Sequence, residues 1–233
     1  MTDNNTKTSK TTAIVLLAVV AVASLALGLW LSQRLHQGSG EAASAGPALR
    51  EGIPKGLHAT VLPHGKPIAP FKLTDSSGKP FDVERLRGKW SFVFFGYTNC
   101  PDVCPLTLSI LNGVYKKLTK TPADIANTQV VFVSVDPRRD TVPELKKYVH
   151  FFNPHFIGAT GPIKQINDIT KQFGIQYSYT KNAKSKAGYT VSHSAQIILV
   201  DPQARERAIF SPPHKIDKIT AAFRKIRHYY EGS

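Results

Sequence analysis

Two cysteines are the whole thiol inventory of this 233-residue chain, and both lie in one short run, Cys100-Pro-Asp-Val-Cys104. Closing so small a loop as a disulfide would stabilise a fold by roughly 2 kcal/mol, against about 5 kcal/mol for a loop of about 100 residues. The pair is therefore better suited to chemistry than to stapling. That chemistry is metal ligation or attack on a disulfide, because the thiolate does both. Disulfide oxidoreductases use Cys-x-x-Cys, and the additional residue here lets both sulfurs aim at one external atom. Two thiolates with one imidazole suit copper in a low-coordinate site, since soft sulfur selects Cu(I) and imidazole also accepts Cu(II). Zinc would ask for a fourth ligand, for which His150, His155 and His214 are candidates. A metal-free reactive dithiol and a structural disulfide are the competing readings.

Spacing does not choose the imidazole, because the chain has eight histidines. His193 stands out, since it lies just before the apolar stretch Ala195–Val200. A strand end is a rigid support, and a parallel sheet can bring such an end beside the carboxyl end of the first buried strand. That strand is the nearly continuous apolar run from Trp90 to Phe95, a pattern of strands buried on both faces. Cys100 is expected at its end and Cys104 at the opening of the following helix. Pro105 fits the first helical turn, where the partial positive charge stabilises a nearby thiolate. Asp102 is expected to cap this helix.

The remaining pattern supplies the frame. Phe71–Asp75 and Pro80–Val83 flank a Gly turn as a hairpin. Leu106, Ile110, Leu111, Val114 and Leu118 recur at helical spacing. Strands are predicted over Gln129–Val135, Ile157–Thr160, Ala195–Val200 and Arg207–Phe210, and helices over Glu144–Phe152, Ile163–Phe173 and Ile216–Tyr230. The alternation predicts an α/β domain with a mixed sheet covered on both faces. The β-α-β from Trp90 and the β-β-α ending give it the order of a thioredoxin-like fold.

Ahead of this domain, Ala13–Leu31 is apolar and uncharged, nearly long enough for a hydrocarbon core of about 30 Å. It is longer than the apolar region of about 7–15 residues in a cleaved signal peptide. An uncleaved N-terminal transmembrane helix is expected. Lys7, Lys10 and the amino terminus precede the span, and Arg34 follows it. The positive-inside rule then keeps residues 1–12 in the cytoplasm. The N-terminus lacks the Arg-rich character of a mitochondrial transit peptide, which points to a bacterial inner membrane with the bulk in the periplasm. Residues 32–61, with a Gly-, Ala-, Ser- and Pro-rich stretch from Gln37 to Pro54, read as a linker, and residues 62–233 as the folded domain.

The formal net charge is +14. Lys and Arg are dispersed, without interleaved aromatics or a zinc-finger or helix-turn-helix pattern, so the charge argues for an anionic membrane surface or acidic protein partner rather than nucleic acid.

Phe95-Gly-Tyr-Thr-Asn-Cys-Pro-Asp-Val-Cys-Pro105 closely resembles the signature of the Sco/SenC copper-chaperone family. Val133-Ser-Val-Asp-Pro-Arg-Arg-Asp-Thr141, and Ser192-His-Ser-Ala195 followed by Leu199-Val-Asp-Pro202, resemble that family's other blocks in the same order. The resemblance spans roughly residues 65–230. It implies a thioredoxin-like fold, a copper ion held by Cys100, Cys104 and His193, and a role in assembling the copper A centre of cytochrome c oxidase, whose copper A subunit would be the partner. Asp136 matches the family's acidic residue in the second block, where it would support the metal loop or cap a helix. Many members carry Asp immediately before the histidine; this chain has Ser192. The basic stretch Lys181–Lys186 is a feature of this chain rather than of the family. A carrier without turnover is expected, with a thiol–disulfide oxidoreductase as the alternative. A peroxide reductase is disfavoured by the lack of a separate resolving cysteine.

Overall fold

The computed structural model describes Trp30, residues 56–185 and residues 187–231. Its strands are β1 (Thr60–Pro67), β2 (Lys72–Asp75), β3 (Pro80–Asp82), β4 (Trp90–Gly96), β5 (Thr128–Ser134), β6 (Ile157–Thr160), β7 (Tyr177–Lys181), β8 (Tyr189–His193), β9 (Ile197–Val200) and β10 (Arg205–Phe210). The helices are α1 (Val103–Leu118), α2 (Pro122–Ile125), α3 (Val142–Phe152), α4 (Ile163–Gln172) and α5 (Ile216–Glu231). The expected membrane helix lies outside the described residues except for Trp30, which is helical and exposed. Among the described residues, no helix is long and apolar enough to cross a membrane.

The sheet grows outward from β4, whose seven residues are all buried, as a strand covered on both faces requires. β4 pairs parallel with β5, and β5 with β6. On the other flank β9 runs antiparallel to β4, with Phe94 opposite Ile197. The full order is β1-β10-β9-β4-β5-β6-β2-β3. This mixed α/β arrangement is thioredoxin-like, as the order of elements predicted.

Period-two alternation in β4 assigns its residues to two helical layers. Trp90 and Phe92 pack against Phe223 of α5, while Phe94 meets Phe132, which packs on Tyr148 of α3. On the opposite face Phe95 packs on Phe173 at the end of α4. Helix α1 buries Cys104, Thr107, Leu108, Leu111, Val114 and Leu118, one stripe at helical spacing.

β7 and β8 form a separate two-stranded sheet, with Tyr177 opposite His193. The sequence reading contained neither strand. β1 was also missed, and it begins at Thr60, before the domain start expected at Leu62.

Candidate metal centre

Strand β4 ends at Gly96, so Cys100 lies in the following loop rather than at the strand end. Cys104 sits in the first turn of α1 and is wholly buried, while Cys100 is partly exposed. Gly96 is what admits Cys104: a Cβ placed there would stand 2.7 Å from Cys104 Sγ and 2.8 Å from the Phe132 ring. On the face where Trp90, Phe92 and Phe94 present rings, the fourth position carries none and a sulfur takes the room.

The imidazole arrives by a different route from the one expected. The end of β4 neighbours the start of β9 through an antiparallel pairing, not a parallel one. β8 then delivers His193 to that point, just before the Ser194–Gln196 connection into β9. Its Nε2 lies 3.1 Å from Cys104 Sγ, and its Nδ1 lies 3.0 Å from the Ser194 carbonyl. The carbonyl can only accept, so Nδ1 carries the proton and Nε2 presents its lone pair to the sulfurs. The rings of Phe94 and Tyr97 close around the imidazole edge-on. Ser192 is exposed on β8, and a backbone carbonyl performs the orienting that a carboxylate beside the histidine would otherwise provide.

The Cys100 and Cys104 sulfurs and one His193 nitrogen all lie within 4.8 Å of one another. Among the described residues no fourth His, Cys, Asp or Glu joins them. His155 instead stacks on Tyr115, His214 donates through Nε2 to the Ala195 carbonyl at 2.7 Å, and His150 is exposed at the end of α3. Two soft sulfurs and one imidazole without a fourth donor fit a low-coordinate soft ion better than tetrahedral zinc.

The two thiols are electrostatically unequal. Cys100 is held down to about 4, chiefly because its thiolate accepts a hydrogen bond from Cys104, helped by the backbone N–H groups of Asp102 and Cys104. The Cys104 N–H points at Cys100 Sγ from 3.4 Å, so the sulfur caps the helix. Cys104 moves strongly upward, because burial and the neighbouring Cys100 charge both disfavour its ionisation.

Asp102 occupies the N-cap position, but its exposed side chain makes no capping hydrogen bond. Asp136 is fully buried outside the ligand group. Its carboxylate pairs with Arg139 Nε at 2.5 Å and accepts from the Tyr189 hydroxyl at 2.9 Å. Arg139 also lies 4.3 Å from the Tyr189 ring centroid and 5.5 Å from that of Tyr97. Tyr179 adds a bond from its hydroxyl to the Val135 carbonyl at 2.6 Å. Asp136 thus ties the hairpin that carries His193 to the loop after β5.

Asp140 was missed. It is fully buried and accepts from the Thr98 N–H at 3.0 Å, the Thr98 hydroxyl at 2.6 Å and the Ser134 hydroxyl at 2.6 Å. It therefore fixes the loop that leads to Cys100. Burial pushes its carboxyl upward against these hydrogen bonds. Its signal was available as the second acid of Asp136-Pro-Arg-Arg-Asp140.

Residues 62–228 match the SCO1/SenC family. The mitochondrial protein SCO2 of Saccharomyces cerevisiae is 39% identical over 136 residues, which are 58% of this chain and 44% of that protein. Among solved structures, copper-bound ScoI of Arabidopsis thaliana is 33% identical with a TM-score of 0.64, covering 69% of this chain and 98% of that one. Copper-bound ScoI of Bradyrhizobium japonicum is 32% identical with a TM-score of 0.61, covering 68% and 98%.

Proposed function

The chain belongs to the SCO1/SenC family, and from that premise we propose that it is a copper-binding metallochaperone for assembly of the copper A centre of cytochrome c oxidase. Copper is cargo here, held by Cys100, Cys104 and His193 and passed to the oxidase's copper A subunit without turnover of another substrate. The observation that carries this reading is the meeting of those three donor atoms within 4.8 Å, although one of them comes from a separate hairpin. Relatives solved with copper bound support the choice of ion.

Transfer proceeds by ligand exchange, in which an incoming acceptor thiolate replaces one sulfur at a time. Cys100 is the partly exposed thiolate and so the accessible partner, whereas Cys104 is wholly buried at the helix start. His193 holds its proton on Nδ1 against the Ser194 carbonyl and keeps Nε2 free for the ion. In this reading residues 13–31 anchor the chain in a bacterial inner membrane and the folded domain works in the periplasm.

One observation favours a second activity, thiol–disulfide exchange that keeps the acceptor's copper-ligand cysteines reduced. The pair consists of a low-lying, accessible Cys100 and a buried partner whose ionisation is disfavoured, the asymmetry of an attacking and a resolving thiol. That activity needs Cys100 and Cys104 but not His193.

Copper titration of the reduced chain and of His193→Ala, followed by transfer to an apo acceptor domain, separates the two. The wild type takes one copper per chain. The substitution costs at least about a hundredfold in affinity, since even partners that merely orient a ligand are worth about 10–100-fold. Undiminished copper affinity in His193→Ala, with dithiol exchange still fast, would sink the chaperone reading.

A further inference from the structure

Beside the cysteines lies a cleft of about 460 Å³, between the loop that carries Cys100 and the tip of the β7–β8 hairpin. One wall is Tyr97, Asn99 and Pro101, so the residues on both sides of Cys100 belong to it. The other includes Arg139, Lys184 and Tyr189. We propose that this cleft seats an acidic side chain of the protein with which the chain exchanges copper. The inference rests on the chaperone reading for the identity of that partner, and on geometry for the cleft.

Three features point to a carboxylate. The Arg139 guanidinium is held between the rings of Tyr97 and Tyr189 and spends its Nε on Asp136, yet its Nη2 is buried without a partner. An unpaired donor on a charged group is a cost that a bound acceptor removes, and the guanidinium fork matches a carboxylate. On the same wall Lys184 is exposed, and no carboxylate among the described residues lies within ion-pair distance of it. The acid of the cysteine loop, Asp102, does not line the cleft. Two cations therefore face one polar space that no carboxylate among the described residues lines.

The neighbourhood indicates a protein rather than a lone anion. Leu106, two residues beyond Cys104, is 57% exposed, so an apolar side chain flanks the cysteines on the helix side while cations and tyrosines flank them on the hairpin side. Aromatic, Arg and apolar groups around a polar rim are the composition of a protein interface. An acid seated in the cleft stands next to Cys100. A partner whose copper-binding cysteine neighbours an Asp or Glu would thus present its thiolate at the exposed ligand. The cleft also gives a role to Lys184 of the basic stretch, which the metal site itself leaves unused.

The test uses the full chain in uncharged detergent, reduced and copper-free. Dye-labelled ten-residue peptides carry two Ser in place of two Cys, with either Glu or Gln beside the first, and binding is read by anisotropy at low ionic strength. The Glu peptide binds about tenfold tighter than the Gln peptide, as one added charge-assisted hydrogen bond allows. Lys184→Glu abolishes the preference and Lys184→Arg restores it. Equal binding of the two peptides, or a preference that survives Lys184→Glu, overturns the proposal. So does binding of phosphatidylglycerol vesicles that depends on Lys184 when the peptides show no preference, because the cleft is then a membrane contact. No copper enters this assay, so its outcome stands apart from the copper titration that tests the chaperone reading.

Discussion

Cys100 and Cys104 are separated by three residues and by a large difference in acidity. Alkylation of the copper-free, reduced protein should go to Cys100, with a pH midpoint near 4, whereas an ordinary thiol follows a midpoint of about 8.5. Cys104 should remain unlabelled across the same range, because its value moves upward; equal labelling would contradict the asymmetry. The linkage has a definite sign. A depressed folded-state value means that Cys100 contributes stability above the unfolded thiol range of about 8.5, and the contribution is lost as pH falls through about 4. Asp140 offers a second check. Asp140→Asn puts an amide donor opposite the Thr98 and Ser134 donors, costing about 1–3 kcal/mol of stability and roughly tenfold in copper affinity by loosening the loop. Denaturation and copper competition measure the two effects, and unchanged values would remove Asp140 from the site. The cysteines were legible in the sequence because they are sparse and close. Asp140 was not, since a buried acceptor for three donors and a surface turn acid look alike until the loop is placed. Nor could residue type show that a backbone carbonyl orients His193.

At the scale of elements, β4 is both the centre of the sheet and the floor of the site. Gly96→Ala would drive a methyl into Cys104 Sγ and Phe132, costing about 1–3 kcal/mol of overpacking strain and displacing the sulfur. A copper titration should show weakened binding while the far-ultraviolet spectrum stays native; full affinity would mean the helix can shift freely. Tyr189→Phe removes the hydroxyl that Asp136 accepts. It should weaken copper binding several-fold, within the range for partners that support a ligand, without unfolding the protein. The strands of the main sheet from β4 onward were readable because their apolar runs are buried on both faces. β7 and β8 were not: β7 has no fully buried residue, so the alternation that announces a half-buried strand is missing. β1 is an edge strand interrupted by Pro63 and Gly65 and largely exposed, where propensity says least. The hairpin that delivers the imidazole was thus the least legible part of the fold.

For the molecule as a whole, charge and the apolar N-terminal run should act independently of the metal chemistry. Deleting residues 1–36 is expected to move the protein from the membrane fraction to the soluble one with its copper affinity unchanged, as fractionation and titration would show. Retention in the membrane fraction at low salt and release at high salt would instead assign the attachment to the basic surface. The candidate ligand group joins the small β7–β8 sheet to the first turn of α1 and the loop before it. Cys104 and His193 are 89 residues apart in sequence, and His193 stands on the hairpin outside the main sheet. An ion bound by both works as a removable crosslink, closing a long loop in the way that a metal clip does. Copper should raise the melting temperature with its concentration and slow hydrogen exchange most strongly at residues 177–193. On the carrier reading, the cargo would write its own presence into the stiffness of one hairpin, and a partner touching that hairpin would distinguish a loaded carrier from a spent one without touching the ion.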